Sequence, residues 1–223
     1  MDFSLSEEQL MFQTTVRDFA ARELAPVAAK VDETGEFPWD NQRKMAALGL
    51  TGVGFAEQYG GSGEDEIMIV IAVEEIARVC AATSAILMAS ISLACHPIYT
   101  HGIEAQKQRW IVPVVKGEKI ACFGLTEPGA GSDAAAIETT LQRQGDSYVI
   151  NGNKVFITNG AEADIIVLFA TTNKALRHRG ITAVVVEKGT PGFSVGKKEH
   201  KLGIRGSSTA ELVFQDCKVP AEN

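Results

Sequence analysis

Apolar residues in the first part of the chain recur mainly at helical spacing. Leu10, Phe12, Val16, Phe19, Ala20, Leu24 and Val27 follow a capping-box pattern of Ser4 and Glu7, which predicts a first amphipathic helix. Pro26 bends or restarts it, and Thr34-Gly35 ends it. Pro38 stands where a first-turn proline is tolerated, Met45 and Leu48 form an apolar face, and Gly49 is a stop. Residues 51–65 hold five glycines without lasting periodicity and read as a long connecting loop. Helical spacing returns from Glu66 to Val79, from Thr83 to about Thr100 with a kink or end near Pro97, and from Glu104 to Val115.

After Gly117 the pattern changes to alternation, β-branched residues and turn signals. Strands are predicted at Ala121 to Thr126, Ile137 to Arg143, Tyr148 to Ile150, Lys154 to Thr158, Ile165 to Thr171, Ile181 to Glu187, Phe193 to Gly196 and Glu211 to Phe214. Asn151-Gly152 is a hairpin signal between two of them. There is no βαβ alternation and no GxGxxG, which argues against a dinucleotide-binding Rossmann domain. The expected fold is α+β: an all-α helical domain over residues 1–118, then a compact antiparallel β-barrel domain over 119–223.

Composition narrows the function classes. A chain of 223 residues with 45% hydrophobic content supports a packed core. Its net charge is −7 and its 21 Lys and Arg are scattered, which argues against nucleic-acid or anionic-membrane binding. Cys80, Cys95, Cys122 and Cys217 form no CxxC pair and no metal-ligand spacing with the histidines, so reduced thiols in a cytoplasm-like compartment are expected. The N-terminal Met1-Asp2-Phe3-Ser4-Leu5-Ser6 lacks the basic and apolar regions of an export signal. The most apolar windows, Ile67 to Val79 and Ala81 to Cys95, are interrupted by charge or diluted by Ser and Ala, and neither reads as membrane-spanning.

Candidate chemistry lies in two segments. Phe123-Gly124-Leu125-Thr126-Glu127-Pro128-Gly129-Ala130-Gly131-Ser132-Asp133 leaves an apolar strand as a loop. Glycines at 129 and 131 allow positive φ and exposed N–H groups, an arrangement suited to an anion or simply to a polar turn. Lys154-Val155-Phe156-Ile157-Thr158-Asn159-Gly160 ends in the same hydroxyl, amide and glycine chemistry.

Together, in this order and separation, the two segments resemble the acyl-CoA dehydrogenases. That family's pattern, Gly-Leu-Thr-Glu-x-x-Ala-Gly-Ser-Asp-x-x-small, is met at each fixed place by residues 124–136. Tyr59 to Gly63, Gly102 to Lys107 and Lys201 to Thr209 look like further family segments, the last similar to short-chain members acting on butyryl-CoA. The resemblance implies FAD as cofactor. Thr126 and Thr158 would hydrogen-bond the flavin ring, Phe156 would pack on its face, and Phe123, Leu125 and Ile157 would give main-chain and packing contacts. Gly131 and Ser132 would meet the pyrophosphate, with Ser132 also near the thioester.

It further implies α,β-desaturation of an acyl-CoA, with electrons passed to an electron-transferring flavoprotein, in fatty-acid β-oxidation. The family's glutamate base belongs to a third, C-terminal helical domain, so no catalytic base is expected among these residues, and the 223-residue chain alone is expected to be inactive. Relatives are homo-oligomers, tetramers when full length, and the compartment is cytoplasmic or mitochondrial-matrix-like. An acyl-CoA oxidase, or a non-catalytic subunit that binds a partner chain, are the alternative readings. Ala85, Ala89 and Leu93 share a helix face where an acyl tail would run or where helices simply pack. Arg177, His178 and Arg179 form either a solvated turn or a CoA-phosphate contact, and His96 and His101 read as structural.

Overall fold

The computed structural model describes residues 4–63 and 65–223, so the export-signal reading of residues 1–3 lies outside it. Helices α1 (Glu7–Phe19), α2 (Ala25–Thr34), α3 (Trp39–Ala47), α4 (Glu66–Ala77), α5 (Ala81–Met88), α6 (His96–His101), α7 (Glu104–Gln106) and α8 (Val112–Val115) form the first half. The cap of the first helix falls two residues later than predicted, at Ser6. Ser6 and Gln9 make the reciprocal capping box, with Ser6 Oγ accepting from the Gln9 N–H at 3.2 Å. Pro26 restarts the chain as α2 after a π-helical turn at Ala20–Leu24, where the looser winding absorbs the missing proline N–H.

A second π-helical segment, Ala89–Cys95, joins α5 to α6 and carries the helix past Pro97. By length and composition alone the Ala81–His101 run could cross a membrane. Most of its side chains are instead packed inside the fold, among them Ile86, Leu87, Ile91 and Ala94.

Among the described residues seven strands follow: β1 (Ala121–Gly124), β2 (Thr140–Gln144), β3 (Ser147–Thr158), β4 (Ile165–Thr171), β5 (Ile181–Glu187), β6 (Phe193–Lys198) and β7 (Thr209–Pro220). They make one curled sheet in the order β1-β4-β2-β3-β7-β6, with β5 on β4. Most pairs are antiparallel, but β1 and β2 run parallel to β4, so the sheet is mixed. A parallel pair needs a long crossover, and the loop and β2–β3 hairpin between Gly124 and Ile165 supply one.

Asn151-Gly152 is not a hairpin. β3 runs straight through it with a register shift against β7, and the turn falls at Gly145-Asp146, where Gly145 has φ 61°. Gly152 is needed for proximity instead, since a Cβ there would lie 2.4 Å from Thr139 Oγ1.

β4 explains how the halves join. Ile165 and Val167 point into the helical core with Ala121 and Val185, while Ile166 and Leu168 point into the curl of the sheet with Cys122 and Phe214. A strand buried on both faces reads as an unbroken apolar run, as Ile165 to Leu168 does. All four cysteines are buried and free.

Candidate functional site

β1 and β3 bring the two motif segments together. The Val155 N–H donates to the Thr126 carbonyl at 2.9 Å, fastening the start of the first loop to the second strand. Phe123, Leu125, Thr126, Phe156, Ile157 and Thr158 then line one cleft of about 170 Å³, with Ala89 and Leu93 of the π-helical segment opposite. Ala85, one α-helical turn before Ala89, is not among these residues. The cleft is mainly apolar, and the hydroxyls of Thr126 and Thr158 have no hydrogen-bond partner among the described residues.

Phe156 is the unusual member. It occupies the bulge between Lys154 and Ile157 at φ 60° and is 65% exposed. Left-handed backbone costs a non-glycine residue about 1–2 kcal/mol, and exposure forgoes the gain from burying the ring. Strain plus exposure at one aromatic marks a place shaped for something other than the chain's own packing.

Beneath the cleft is a buried ion pair. Lys154 is fully buried and its Nζ donates to Glu127 Oε1 at 2.8 Å and to the Leu125 carbonyl at 2.8 Å. Glu127 also accepts the backbone N–H groups of Glu138 at 2.6 Å and Thr139 at 2.9 Å. Burial lowers the Lys154 pKa against the pull of Glu127. Burial pushes the Glu127 carboxyl up, but the hydrogen bonds from Lys154 and Thr139 with the backbone donors outweigh it and hold its pKa below the usual carboxylate value. Geometry defines the pair: Lys154 Nζ and Glu127 Oε1 lie 2.8 Å apart in a buried setting. Glu127 shapes the loop by these bonds, whereas Lys154 sits in an alternating strand and gave no sequence sign of burial.

Gly131 and Ser132 do not line the cleft. They are exposed on the same loop further out, beyond the tight turn closed by mutual Glu127 and Ala130 backbone bonds. Neither Gly129 nor Gly131 adopts the positive φ expected of it, and a Cβ on either would meet nothing within 4 Å. The chain's own conformation and packing do not require glycine at these places. What glycine provides there is bare main chain open to the exterior. Arg177, itself at φ 49°, pairs through Nη2 with Asp133 at 2.8 Å and braces this loop. His96 and His101 line a separate cleft of about 590 Å³ with Trp110 and Phe169, and the described residues contain no cluster suited to a metal.

Residues 6–118 match the family model for the acyl-CoA dehydrogenase N-terminal domain, and residues 122–217 match the model for the middle domain. The chain belongs to the acyl-CoA dehydrogenase family. It is 52% identical over its whole length to an "Acyl-CoA dehydrogenase, short-chain specific" of Clostridium acetobutylicum, of which it spans 59%. Among solved structures of the family's shape, butyryl-CoA dehydrogenase from Megasphaera elsdenii superposes with a TM-score of 0.95 at 47% identity, over all of this chain and 59% of that one. A chain from a structure described as "Electron transferring flavoprotein of Acidaminococcus fermentans" superposes with a TM-score of 0.97 at 46% identity, again over 100% and 59%. The chain thus spans about three fifths of the length of the dehydrogenase relatives it matches.

Proposed function

We propose that this chain forms the helical and β portions of an FAD-dependent acyl-CoA dehydrogenase that desaturates short-chain thioesters. The observation that carries the reading is that Thr126 and Thr158, from separate segments, line one apolar cleft with hydroxyls that have no partner among the described residues, beside a strained, exposed Phe156. A flat ring with polar edges fits this lining: apolar walls for its faces, hydroxyl donors for its rim.

In this reading Thr126 and Thr158 donate to the edge of the ring, and Phe156 covers a face and excludes water. Phe123, Leu125 and Ile157 complete the wall. The bare main chain at Gly131, with Ser132, approaches the pyrophosphate, and Ser132 also contacts the thioester. Held there, FAD would supply the acceptor for the hydride of the β-carbon. The α-proton is taken by a glutamate outside these 223 residues, so the chain by itself binds and orients but does not turn over. The short-chain relatives support the thioester class, and the similarity to a chain from the flavoprotein structure supports an electron-transferring flavoprotein as acceptor. A homo-oligomer in the cytoplasm or mitochondrial matrix completes the proposal.

Anaerobic mixing of the FAD-loaded chain with butyryl-CoA tests it. A properly placed base contributes about 10²–10⁴ in rate, so flavin bleaching is expected at least a hundredfold slower than for a three-domain relative. Bleaching at the relative's rate would overturn the external base, and failure to take up FAD would overturn the cofactor assignment.

A further inference from the structure

The motifs account for the residues that line the cleft, yet the bond network behind it centres on a residue that lines nothing. Lys154 Nζ holds the carbonyl of Leu125, and the next residue's N–H holds the carbonyl of Thr126. Both peptide planes flanking Thr126 are therefore pinned by β3. The described residues include no cis peptide bond, and in a trans peptide the C=O and N–H point in opposite directions. With the Leu125 carbonyl turned onto the buried ammonium, the Thr126 N–H is turned away from it. This N–H, like the Thr126 hydroxyl, has no acceptor among the described residues.

A cation hydrogen-bonded to a carbonyl also polarises that peptide, which makes its N–H a stronger donor. We propose that Lys154, anchored by Glu127, is a positioning residue that sets the Leu125–Thr126 peptide so that Thr126 presents two donors, backbone N–H and hydroxyl, to the cofactor ring. The inference rests on the flavin reading of the cleft. It deepens that reading by assigning a task to a buried charge pair. Holding the fold together does not by itself call for charge, because an apolar pair of similar volume fills such a space as well or better.

The test separates positioning from plain stability. Lys154→Met alone leaves Glu127 buried without its cation and lowers the melting temperature. Lys154→Met combined with Glu127→Gln removes both charges, and most of the lost melting temperature returns. FAD affinity, followed by flavin fluorescence quenching, stays about tenfold or more below wild type in the single and the double variant alike. In ¹⁵N-labelled protein the Thr126 amide proton moves downfield on FAD addition in wild type and fails to do so in the double variant. Recovery of affinity together with melting temperature, or an unchanged Thr126 shift on FAD binding, would overturn the positioning role and leave the flavin site intact. A wild-type chain that binds no FAD would overturn both.

Discussion

Asn159 Nδ2 donates to the Ile86 carbonyl at 3.0 Å and to the Ala121 carbonyl at 3.3 Å, joining the central helical run to β1 through one fully buried side chain. Its φ of 65° puts it in the left-handed region, which asparagine tolerates better than most residues. Asn159→Ala removes the bonds and adds backbone strain, and is expected to cost about 2–4 kcal/mol. Asn159→Gly loses the same bonds without the strain, so it should be milder by about 1 kcal/mol. Urea unfolding at unchanged slope measures both, and equal losses would remove strain from the account.

Acid stability should depend on Glu75. This carboxylate is 1% exposed and accepts from Arg17 at 2.7 and 3.0 Å and from Arg78 at 3.0 Å. The Arg17 hydrogen bonds are the main reason its pKa lies below the ordinary carboxylate value. A lowered carboxylate pKa contributes stability that is fully present above the unfolded-state value and is lost as pH falls through the folded one. Glu75→Gln is expected to cost about 1.5–3 kcal/mol at neutral pH and to flatten the fall in melting temperature as pH drops below the ordinary carboxylate range. An acid limb identical to wild type would show that other carboxylates carry it.

Phe156 should trade stability for binding. Glycine accepts φ 60° without penalty and surrenders little, because Phe156 is 65% exposed. Phe156→Gly is expected to leave stability unchanged or raise it by up to about 1 kcal/mol while weakening FAD binding. Thermal unfolding and FAD titration together check this, and a marked loss of melting temperature would mean that the ring supports the fold.

Thr126→Val and Thr158→Val should behave as binding variants. Neither hydroxyl has a partner among the described residues, so unfolding free energy should change by less than about 0.5 kcal/mol. Each loss of a hydrogen bond to the ring should weaken FAD by about tenfold, equivalent to about 1.4 kcal/mol. Equilibrium dialysis against FAD measures the effect.

Local patterns carried much of this structure. The apolar runs fixed β4 and β5 at Ile165–Thr171 and Ile181–Glu187, the bounds expected of them. The six motif residues expected at the ring line one cleft. What local pattern could not convey depends on distant partners. Asn151-Gly152 serves a bulge rather than a turn because Thr139 lies against it. Lys154 is buried because Glu127 and the Leu125 carbonyl wait beneath the sheet. The parallel placement of β1 on β4 is set by core packing across a long crossover. The glycines of the first loop were read for backbone freedom, yet they contribute open space.

The most direct measurement is the visible spectrum of the purified chain after gel filtration with excess FAD. Wild-type protein should elute yellow with close to one flavin per chain, and Thr126→Val with Thr158→Val should elute almost colourless while still folded. A colourless wild type, or a double variant that keeps as much flavin as wild type, would contradict a flavin held between the two segments.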